Sequence, residues 1–308
     1  MDNTAATRVT HRETTASELA ESMDRTQAAA SRSISTWGRI RRNPRVMVPG
    51  IILLVIVLMA IVAPWILPHD PYEMNTRVRL AGPSASNLLG TDEYGRDLLS
   101  RVILGSRTSL VISISSVALA TVFGMILGLF GGYLGGIWEV VTMRLVDALL
   151  TIPPILLAIT VVAFLGPGIP NLIGVIALLY MTIFARISYG ATLQVKNREF
   201  VEAERVLGAG TLRILRTSIL PNIMAPIFVQ MSLSLGFAIL LESGLSFLGL
   251  GTPPPKPSWG NMIGTGRGYM DQDAWYVLWP AIIISITILC CNVLGDGLRD
   301  SLDPRLKR

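Results

Sequence analysis

Six apolar runs, each long enough to cross a lipid bilayer as a helix, limit the folds open to this chain. A helix rises about 1.5 Å per residue, so about 20 residues cross a hydrocarbon core about 30 Å thick. Lipid offers no hydrogen-bond partners, so the peptide groups of such runs must pair within helices. The sequence therefore predicts an all-α polytopic membrane protein with six transmembrane helices. The predicted spans are 47–67, 109–130, 138–165, 172–195, 223–241 and 279–294.

The composition agrees with a membrane protein and limits the kinds of partner that we expect. The chain is 51% hydrophobic and only 15% charged, with a formal net charge of +5. In a membrane protein such an excess of positive charge usually belongs to cytoplasmic loops, so we expect a lipid bilayer and no nucleic acid as partner. Two histidines and two adjacent cysteines within an apolar run indicate no metal site.

The spans divide the chain into four parts. Residues 1–38, rich in Ser, Thr, Ala and mixed charge, are expected to be a disordered cytoplasmic tail. Residues 39–107 hold the first transmembrane helix and an outer amphipathic segment. Residues 108–295 form a five-helix transmembrane core that contains a polar loop at 196–221. Residues 296–308 form a short, charged cytoplasmic tail.

The distribution of basic residues predicts the orientation. With six spans, both termini and the 196–221 loop lie on one side of the membrane. From Arg39 onward, 14 lysines and arginines are assigned to that side and 7 to the other. The positive-inside rule therefore predicts cytoplasmic N and C termini and a cytoplasmic loop.

The outer amphipathic segment follows the first span. Asp97 and Arg101 are spaced as an i,i+4 ion pair on one face of a predicted helix, with Thr91 or Asp92 as its cap. An apolar face opposite this pair predicts a helix lying at the outer membrane surface. That face consists of Leu98, Leu99, Val102 and Ile103.

Four charged residues fall within or at the ends of the spans. Arg144 and Asp147 are spaced i,i+3 near the start of the third span, and we expect them to neutralise each other. Arg186 lies in the inner half of the fourth span, close enough to the cytoplasmic end to extend toward water. Glu242 follows the fifth span at its outer end.

Small residues and prolines shape two of the spans. Gly124, Gly128 and Gly132 recur every four residues in the second span, and this row favours close packing against a neighbouring helix over lining a substrate path. Glycines that follow this span predict a tight turn before the third. Pro153-Pro154 must bend or break the third span. A bend that lines a cavity and a bend that serves packing alone are both open.

The 196–221 loop is the longest charged interruption between apolar runs after the first third of the chain. It predicts two short helices separated by a turn at Gly208-Ala209-Gly210. Gly208 suits a left-handed position that ends the first helix, and Thr211 can cap the second. Pro221 begins the next apolar run. An ordered helix–turn–helix indicates a surface presented to a partner.

The loop resembles the EAA loop of ABC-importer permeases. That pattern is E-A-A, three residues, G, nine residues, then I-x-L-P. Glu202-Ala203, Gly208 and Leu220-Pro221 match it, whereas Glu204 replaces the second Ala and Ser218 replaces Ile. Two further segments resemble the dipeptide/oligopeptide/nickel subgroup of these permeases: G-T-D-E-Y-G-R-D-L-L-S-R and L-L-E-S-G-L-S-F-L-G-L-G-T-P-P-P-K-P-S-W-G-N-M. The resemblance covers about 39–308.

This resemblance implies the permease subunit of an ATP-driven importer of short peptides in a bacterial-type inner membrane. Such a subunit forms half of the translocation path and works by alternating access. Its partners are a homologous second permease, two ATPase subunits that bind ATP and Mg, and an extracytoplasmic substrate-binding protein. A cytoplasmic EAA-type coupling helix–turn–helix connects it to the ATPases. The coupling residues implied are Glu199, Glu202, Ala203, Arg205, Gly208, Leu220 and Pro221.

The chain itself has no phosphate cradle of the G-x-x-x-x-G-K-[ST] type, because none of its three lysines follows a glycine. It also shows no catalytic cluster and no cofactor site, so we expect a transport subunit and no enzyme. Two other functions are open. One is a secondary carrier for a small solute, driven by an ion gradient, although such carriers normally hold ionisable residues deep in their core. The other is a membrane scaffold or sensor.

Overall fold

A computed structural model describes residues 43–302, which are mainly helical. The long helices are α1 (Pro44–Ile66), α2 (Leu98–Leu134), α5 (Ile169–Lys196), α7 (Thr211–Phe247) and α9 (Trp275–Leu302). The shorter helices are α3 (Gly136–Leu150), α4 (Pro154–Leu165), α6 (Glu199–Val206) and α8 (Trp259–Gly266). The predicted tail at 1–38, the basic residues 39–42 and the final residues 303–308 lie outside the described residues.

The helices agree with a polytopic membrane protein. The five long helices are each apolar and long enough to cross a bilayer, and α3 with α4 forms a sixth span if the bent pair is counted as one. The axes of α3 and α4 differ by 89°. This break confirms the expected effect of Pro153-Pro154, since Pro153 precedes α4 with φ −52° and Pro154 is its first residue.

The expected amphipathic helix at the membrane surface is wrong. Its residues form the first turns of α2, where Leu98 and Val102 pack on Tyr276 and Met262. The apolar face is therefore buried against protein and is not available to lipid. Asp97 caps α2 by accepting a hydrogen bond from the Ser100 amide at 2.8 Å.

Arg101 pairs with Asp92 in a buried charged cluster, and not with Asp97. Its Nε lies 3.2 Å from Asp92 Oδ2 as an ion pair without hydrogen-bond geometry, and the same oxygen accepts from Arg96 Nε at 2.6 Å. Arg96 contacts Glu93 at 3.1 Å, and the Tyr276 hydroxyl donates to the same carboxylate. Since each charge meets an opposite charge or a donor, the cluster can be buried where the connection between α1 and α2 meets α9. We call this end of the bundle the opposite face, because it lies at the far end from the 196–221 loop.

The loop face is the other end of the bundle, where α5 ends and α6 begins. α2 continues beyond the expected turn and ends at Leu134, because the chain reverses only at Gly135 and Gly136, with φ +67° and +56°. Lys196, the last residue of α5, donates from Nζ to the Gly132 carbonyl at 2.7 Å. This hydrogen bond joins the ends of α2 and α5.

The row Gly124, Gly128 and Gly132 lies along the contact between α2 and α5, which confirms the packing interpretation. A Cβ atom on Gly124 would lie 2.5 Å from the Met181 carbonyl oxygen, and one on Gly132 would lie 2.9 Å from Thr192 Cβ. Such distances leave no room for a methyl group. The two backbones therefore approach more closely than larger residues would permit.

The last apolar helix does not stop before residue 296 as expected. α9 continues through Leu302, so the predicted tail at 296–308 is helical as far as the structure describes it. Its final turns pack on α1: a Cβ atom on Gly297 would lie 2.8 Å from Val46 Cγ2, and Asn43 donates to Ser301 Oγ at 3.3 Å. Packing against α1 keeps these polar residues helical.

We expect Gly128→Ala to destabilise the protein while Gly174→Ala does not. Both substitutions raise helix propensity by about 0.5–1 kcal/mol, but only position 128 meets backbone and side-chain atoms of α5, whereas nothing lies within 4 Å at position 174. Overpacking costs about 1–3 kcal/mol. Thermal unfolding of the detergent-solubilised chain measures the difference. Equal midpoints for the two variants would contradict the role of the glycine row.

Candidate functional site

The turn in the 196–221 loop has the geometry of a helix C-terminal motif built on glycine. α6 ends at Val206, and Gly208 follows with φ +78°. The Gly208 amide donates to the Arg205 carbonyl and the Ala209 amide to the Glu204 carbonyl, both at 3.0 Å. These two bonds form a Schellman motif, which requires a residue with positive φ at this point. The expected left-handed conformation of Gly208 is confirmed.

A small apolar cluster holds the helices of the loop against the bundle. Val201 of α6 is fully buried and packs with Ile214, Ile219 and Ile223 of α7 and with Leu129 of α2. The polar loop therefore sits on a core of its own at the loop face. Since this cluster includes side chains of α2, α6 and α7, a displacement of α6 acts on the ends of two long helices.

The second helix of the loop is continuous with the next span. α7 begins at Thr211, and the Thr211 side chain does not cap it; Gly210 occupies the N-cap position without a side-chain hydrogen bond. The expected Thr211 cap is therefore wrong. Residues Leu215–Ile219 form a π-helical turn just before Pro221, which has no amide hydrogen to give to the preceding turn.

Most of the predicted coupling residues are exposed on the loop. Arg205 is exposed, although its guanidinium lies 5.7 Å from the centre of the Tyr133 ring. Leu220 is the exception, because it is half-buried against the apolar cluster. The exposed residues are Glu199, Glu202, Ala203, Arg205, Gly208 and Pro221.

Apolar side chains project at the tip of the loop. Val206 is 87% exposed, Leu207 85% and Leu212 72%. They flank the Gly208 turn, where α6 meets α7. Three apolar side chains this exposed on a polar segment are typical of a surface that binds another protein.

Glu204 and Ser218, the two departures from the EAA pattern, contact each other. Ser218 Oγ donates to Glu204 Oε1 at 2.5 Å, across the turn and between α6 and α7. Ser218 is buried and Glu204 half-buried. The pattern has apolar Ala and Ile at these two positions, so a hydrogen bond between the helices replaces an apolar contact there.

Three of the four predicted intramembrane charges come together in a groove between α3 and α5. The groove has a volume of about 490 Å³. Arg144 and Asp147 line it from α3, and Arg186 lines it from α5. Glu139 and Tyr189 complete its polar lining, and the Tyr189 hydroxyl donates to Glu139.

The expected pairing of Arg144 with Asp147 is wrong. Asp147 Oδ1 instead accepts from Arg186 Nη2 at 2.6 Å, across the two helices. The Arg186 side chain thus extends toward α3 and not only toward the end of its own span. Arg144 is exposed and has no ion pair among residues 43–302.

The groove is an unfavourable surface to present to lipid. The Arg186 and Asp147 side chains remain 56% and 50% exposed. A charged side chain near the middle of a bilayer costs about 2.5–3.5 kcal/mol on insertion scales. Because the groove lies along two apolar helices, water, lipid headgroups or a second protein suits its exposed charges better than hydrocarbon does.

Glu242 lies apart from the groove, near the opposite face. It is fully buried because α7 continues past it to Phe247. Its carboxyl group accepts from Ser246 Oγ at 2.8 Å, and the hydroxyls of Ser109 and Ser258 also contact it. These serines come from three segments, so Glu242 joins α7 to α2 and to the segment before α8.

Sequence reasoning missed Glu139 and Tyr189 as partners in the groove. A spacing signal was present for Glu139, which precedes Asp147 by eight residues and therefore lies on the same face of α3. Tyr189 follows Arg186 by three residues on α5 in the same way. Nothing in the sequence indicated that α3 and α5 face each other.

Comparisons with known proteins identify relatives of this chain. Residues 120–308 match the family described as binding-protein-dependent transport system inner membrane component, and residues 31–83 match the N-terminal TM domain of oligopeptide transport permease C. The chain is 43% identical to the di/tripeptide transport system permease protein DppC of Pseudomonas aeruginosa, over 88% of this chain and 91% of that protein. It is 40% identical to the dipeptide transport system permease protein DppC of Haemophilus influenzae, over 88% and 94%.

One solved structure has a similar fold. It is an inward-facing form of the MetNI methionine ABC transporter, with a TM-score of 0.55 over 67% of this chain and 98% of that one. The sequence identity is 19%, so this likeness concerns the fold alone.

We expect Glu204→Ala and Ser218→Ile to loosen α6 separately and to compensate each other when combined. Each single variant leaves one partner of the 2.5 Å hydrogen bond without the other, at about 1–3 kcal/mol, whereas the double variant removes both polar groups. Hydrogen exchange of the α6 amides measures the effect. Each single variant should exchange at least about fivefold faster than the parent, and the double variant close to the parent rate.

Thr211→Ala, at the start of α7 and exposed, serves as the control, because its side chain does not cap the helix, and it should leave α6 exchange unchanged. If the effects of the two single variants simply add in the double variant, the hydrogen bond does not hold α6 to α7.

Proposed function

Because this chain belongs to the family of binding-protein-dependent transport system inner membrane components, we propose that it is the permease subunit of an ATP-driven importer of short peptides. Permeases of this family work with ATPase activity supplied by other subunits. The relatives named above as dipeptide and di/tripeptide permeases support peptides as the solute. In this proposal a homologous second permease completes the translocation path, and an extracytoplasmic binding protein delivers the peptide.

The apolar tip of the 196–221 loop is the observation that carries the proposed ATPase contact. Val206, Leu207 and Leu212 are more than 70% exposed, and Glu202 on α6 lies beside them. In our proposal a groove on an ATPase subunit covers the tip, and Glu202 accepts hydrogen bonds from that subunit. ATP and Mg bind to the ATPase subunits and not to this chain.

The excess of basic residues on the loop side supports a cytoplasmic loop face, with both termini in the cytoplasm. ATP is then available where the loop projects. Closure of the two ATPase subunits would move α6 together with the apolar cluster around Val201. Leu129 of α2 and Ile219 of α7 share that cluster, so the movement reaches two membrane-crossing helices. Alternating access would follow from their rearrangement.

Purification of the full chain from its native membrane tests the proposal. We expect an ATPase and a second permease to co-purify, and ATP-dependent uptake of a dipeptide by the reconstituted assembly only when the binding protein is present. Uptake by this chain alone in an ion gradient would instead establish a secondary carrier. Stable purification without ATPase and without uptake would favour a scaffold or sensor.

We expect Gly208→Thr to uncouple the loop while Gly210→Thr does not, because Thr is tolerated about as well as Gly at the N-cap of α7. Position 208 has φ +78°, which a β-branched residue rarely adopts, whereas position 210 has φ −68° and ψ 152°. No atom lies within 4 Å of a Cβ at either position, so the two variants differ in backbone strain and not in packing. A cost of about 1–2 kcal/mol at position 208 should disrupt the turn.

The measurement is ATP-driven uptake per assembled complex. Gly208→Thr should reduce uptake at least about fivefold, the factor that corresponds to about 1 kcal/mol, and Gly210→Thr should match the parent. Unchanged uptake in Gly208→Thr would show that the turn geometry does not matter for coupling.

A further inference from the structure

We propose that the groove between α3 and α5 binds the charged termini of a zwitterionic short peptide, with Arg144 facing the peptide carboxylate and Glu139 facing the peptide ammonium. This inference rests on the proposed function and adds a contact site for the peptide within the permease. It concerns a step after release from the binding protein.

The hydrogen bonds of the groove leave one cation available. Arg186 and Asp147 pair with each other at 2.6 Å, so together they contribute a neutral wall. Arg144 is exposed in the groove without an acidic partner among residues 43–302. A guanidinium in this position suits a carboxylate, which it can bind through two parallel hydrogen bonds.

The groove also leaves part of one carboxylate available. The Tyr189 hydroxyl donates to Oε1 of Glu139, and Oε2 makes no hydrogen bond to residues 43–302. A carboxylate accepts several hydrogen bonds, so Glu139 can also receive an ammonium group. The groove therefore offers one site for each end of a zwitterion, while its net charge stays balanced.

The size of the groove suits a short peptide. Glu139 and Arg144 both line it, and their positions on α3 differ by a rise of about 7.5 Å along the axis and a turn of about 140° around it, so they reach the groove from different sides of α3. An extended dipeptide spans about 7 Å and a tripeptide about 10 Å. A groove of about 490 Å³ also falls within the usual size of a small-molecule site, about 300–1,000 Å³.

Arg144 is exposed and Glu139 is half-buried in a groove that is open on one side. We infer that the second permease closes that side. The rival interpretation is that Arg144 forms an ion pair with that permease and serves assembly alone. Measuring both assembly and the preference between peptides distinguishes the two interpretations, because a contact that serves assembly alone does not distinguish one end of a peptide from the other.

The first experiment compares uptake of dialanine and of its C-terminal amide by the reconstituted assembly. The binding protein is the same for parent and variant, so its own preference cancels in the ratio of the two uptake rates. We expect Arg144→Gln to lower dialanine uptake at least about tenfold, as for loss of one hydrogen-bonded ion pair, and to leave amide uptake nearly unchanged. Glu139→Gln should likewise impair dialanine but not N-acetyl dialanine.

A second readout does not depend on the binding protein. Val140 lines the groove and is 54% exposed, whereas the native Cys290 and Cys291 are buried. In Val140→Cys assemblies without binding protein, dialanine should slow labelling by a charged thiol reagent and the amide should not. Adding Arg144→Gln should abolish this protection. Arg45→Gln, which removes a largely exposed pair with Asp300, is the control and should change neither readout.

The outcomes distinguish the inference from the function on which it rests. If the parent assembly takes up no dialanine with ATP and binding protein, the proposed function fails. If the parent transports dialanine but Arg144→Gln impairs both substrates equally or impairs neither, the groove does not bind peptide termini. The same conclusion follows if Arg144→Gln prevents assembly and Arg144→Lys restores assembly without restoring protection by dialanine. The inference is supported if Arg144→Gln still assembles and loses uptake of dialanine but not of its C-terminal amide.

Discussion

The close approach of α2 and α5 is the contact on which the rest of this structure depends. Three glycines at every fourth position remove side chains from one face of α2, so the α5 backbone lies directly against it. The contact extends toward the loop face, where Lys196 donates to the Gly132 carbonyl. Because apolar side chains gain little by leaving lipid for one another, such backbone proximity is a main source of attraction between helices within a bilayer.

This contact fixes the two places where the chain presents polar groups. α3 follows α2 after a reversal of two glycines, so the position of α2 sets where Glu139 lies relative to Tyr189 on α5. At the end of the same pair, Leu129 of α2 supports the apolar cluster beneath α6. The groove and the loop are therefore held by one helix pair, although the sequence separates their residues widely.

The sequence predicted what depends on local pattern. Long apolar runs indicated the membrane helices, the four-residue repeat of glycine indicated close packing, and Gly208 indicated the turn that ends α6. Expectations that required a choice of partner were wrong in two places. Asp97 and Arg101 have the spacing of an ion pair, yet Asp97 caps α2 and Arg101 pairs with Asp92. Spacing along a helix permits a pair, but competing partners from other segments decide whether it forms.

The same limit explains the groove and the Glu204–Ser218 contact. Asp147 is nearer in sequence to Arg144 than to Arg186, but a residue on the facing helix approaches it at 2.6 Å. Glu204 and Ser218 each departed from the family pattern when considered separately, and together they form one hydrogen bond between α6 and α7. A departure at one position is interpretable only when its spatial neighbour is known, which a single sequence does not supply.

A mechanical consequence follows from the position of α5. Arg186 lies ten residues before Lys196, a distance of about 15 Å along the helix, so the groove and the loop face belong to one rigid rod. If α5 tilts about its loop-face end, where Lys196 is hydrogen-bonded to the Gly132 carbonyl, Arg186 and Tyr189 move relative to α3. α3 meets α2 at a reversal of two glycines and ends at the break before Pro154, so no continuous helix ties it to α5. On the proposed function, the ion pair between Arg186 and Asp147 is therefore the contact most directly altered when the ATPase subunits move, and it adjoins the residues proposed to hold the peptide.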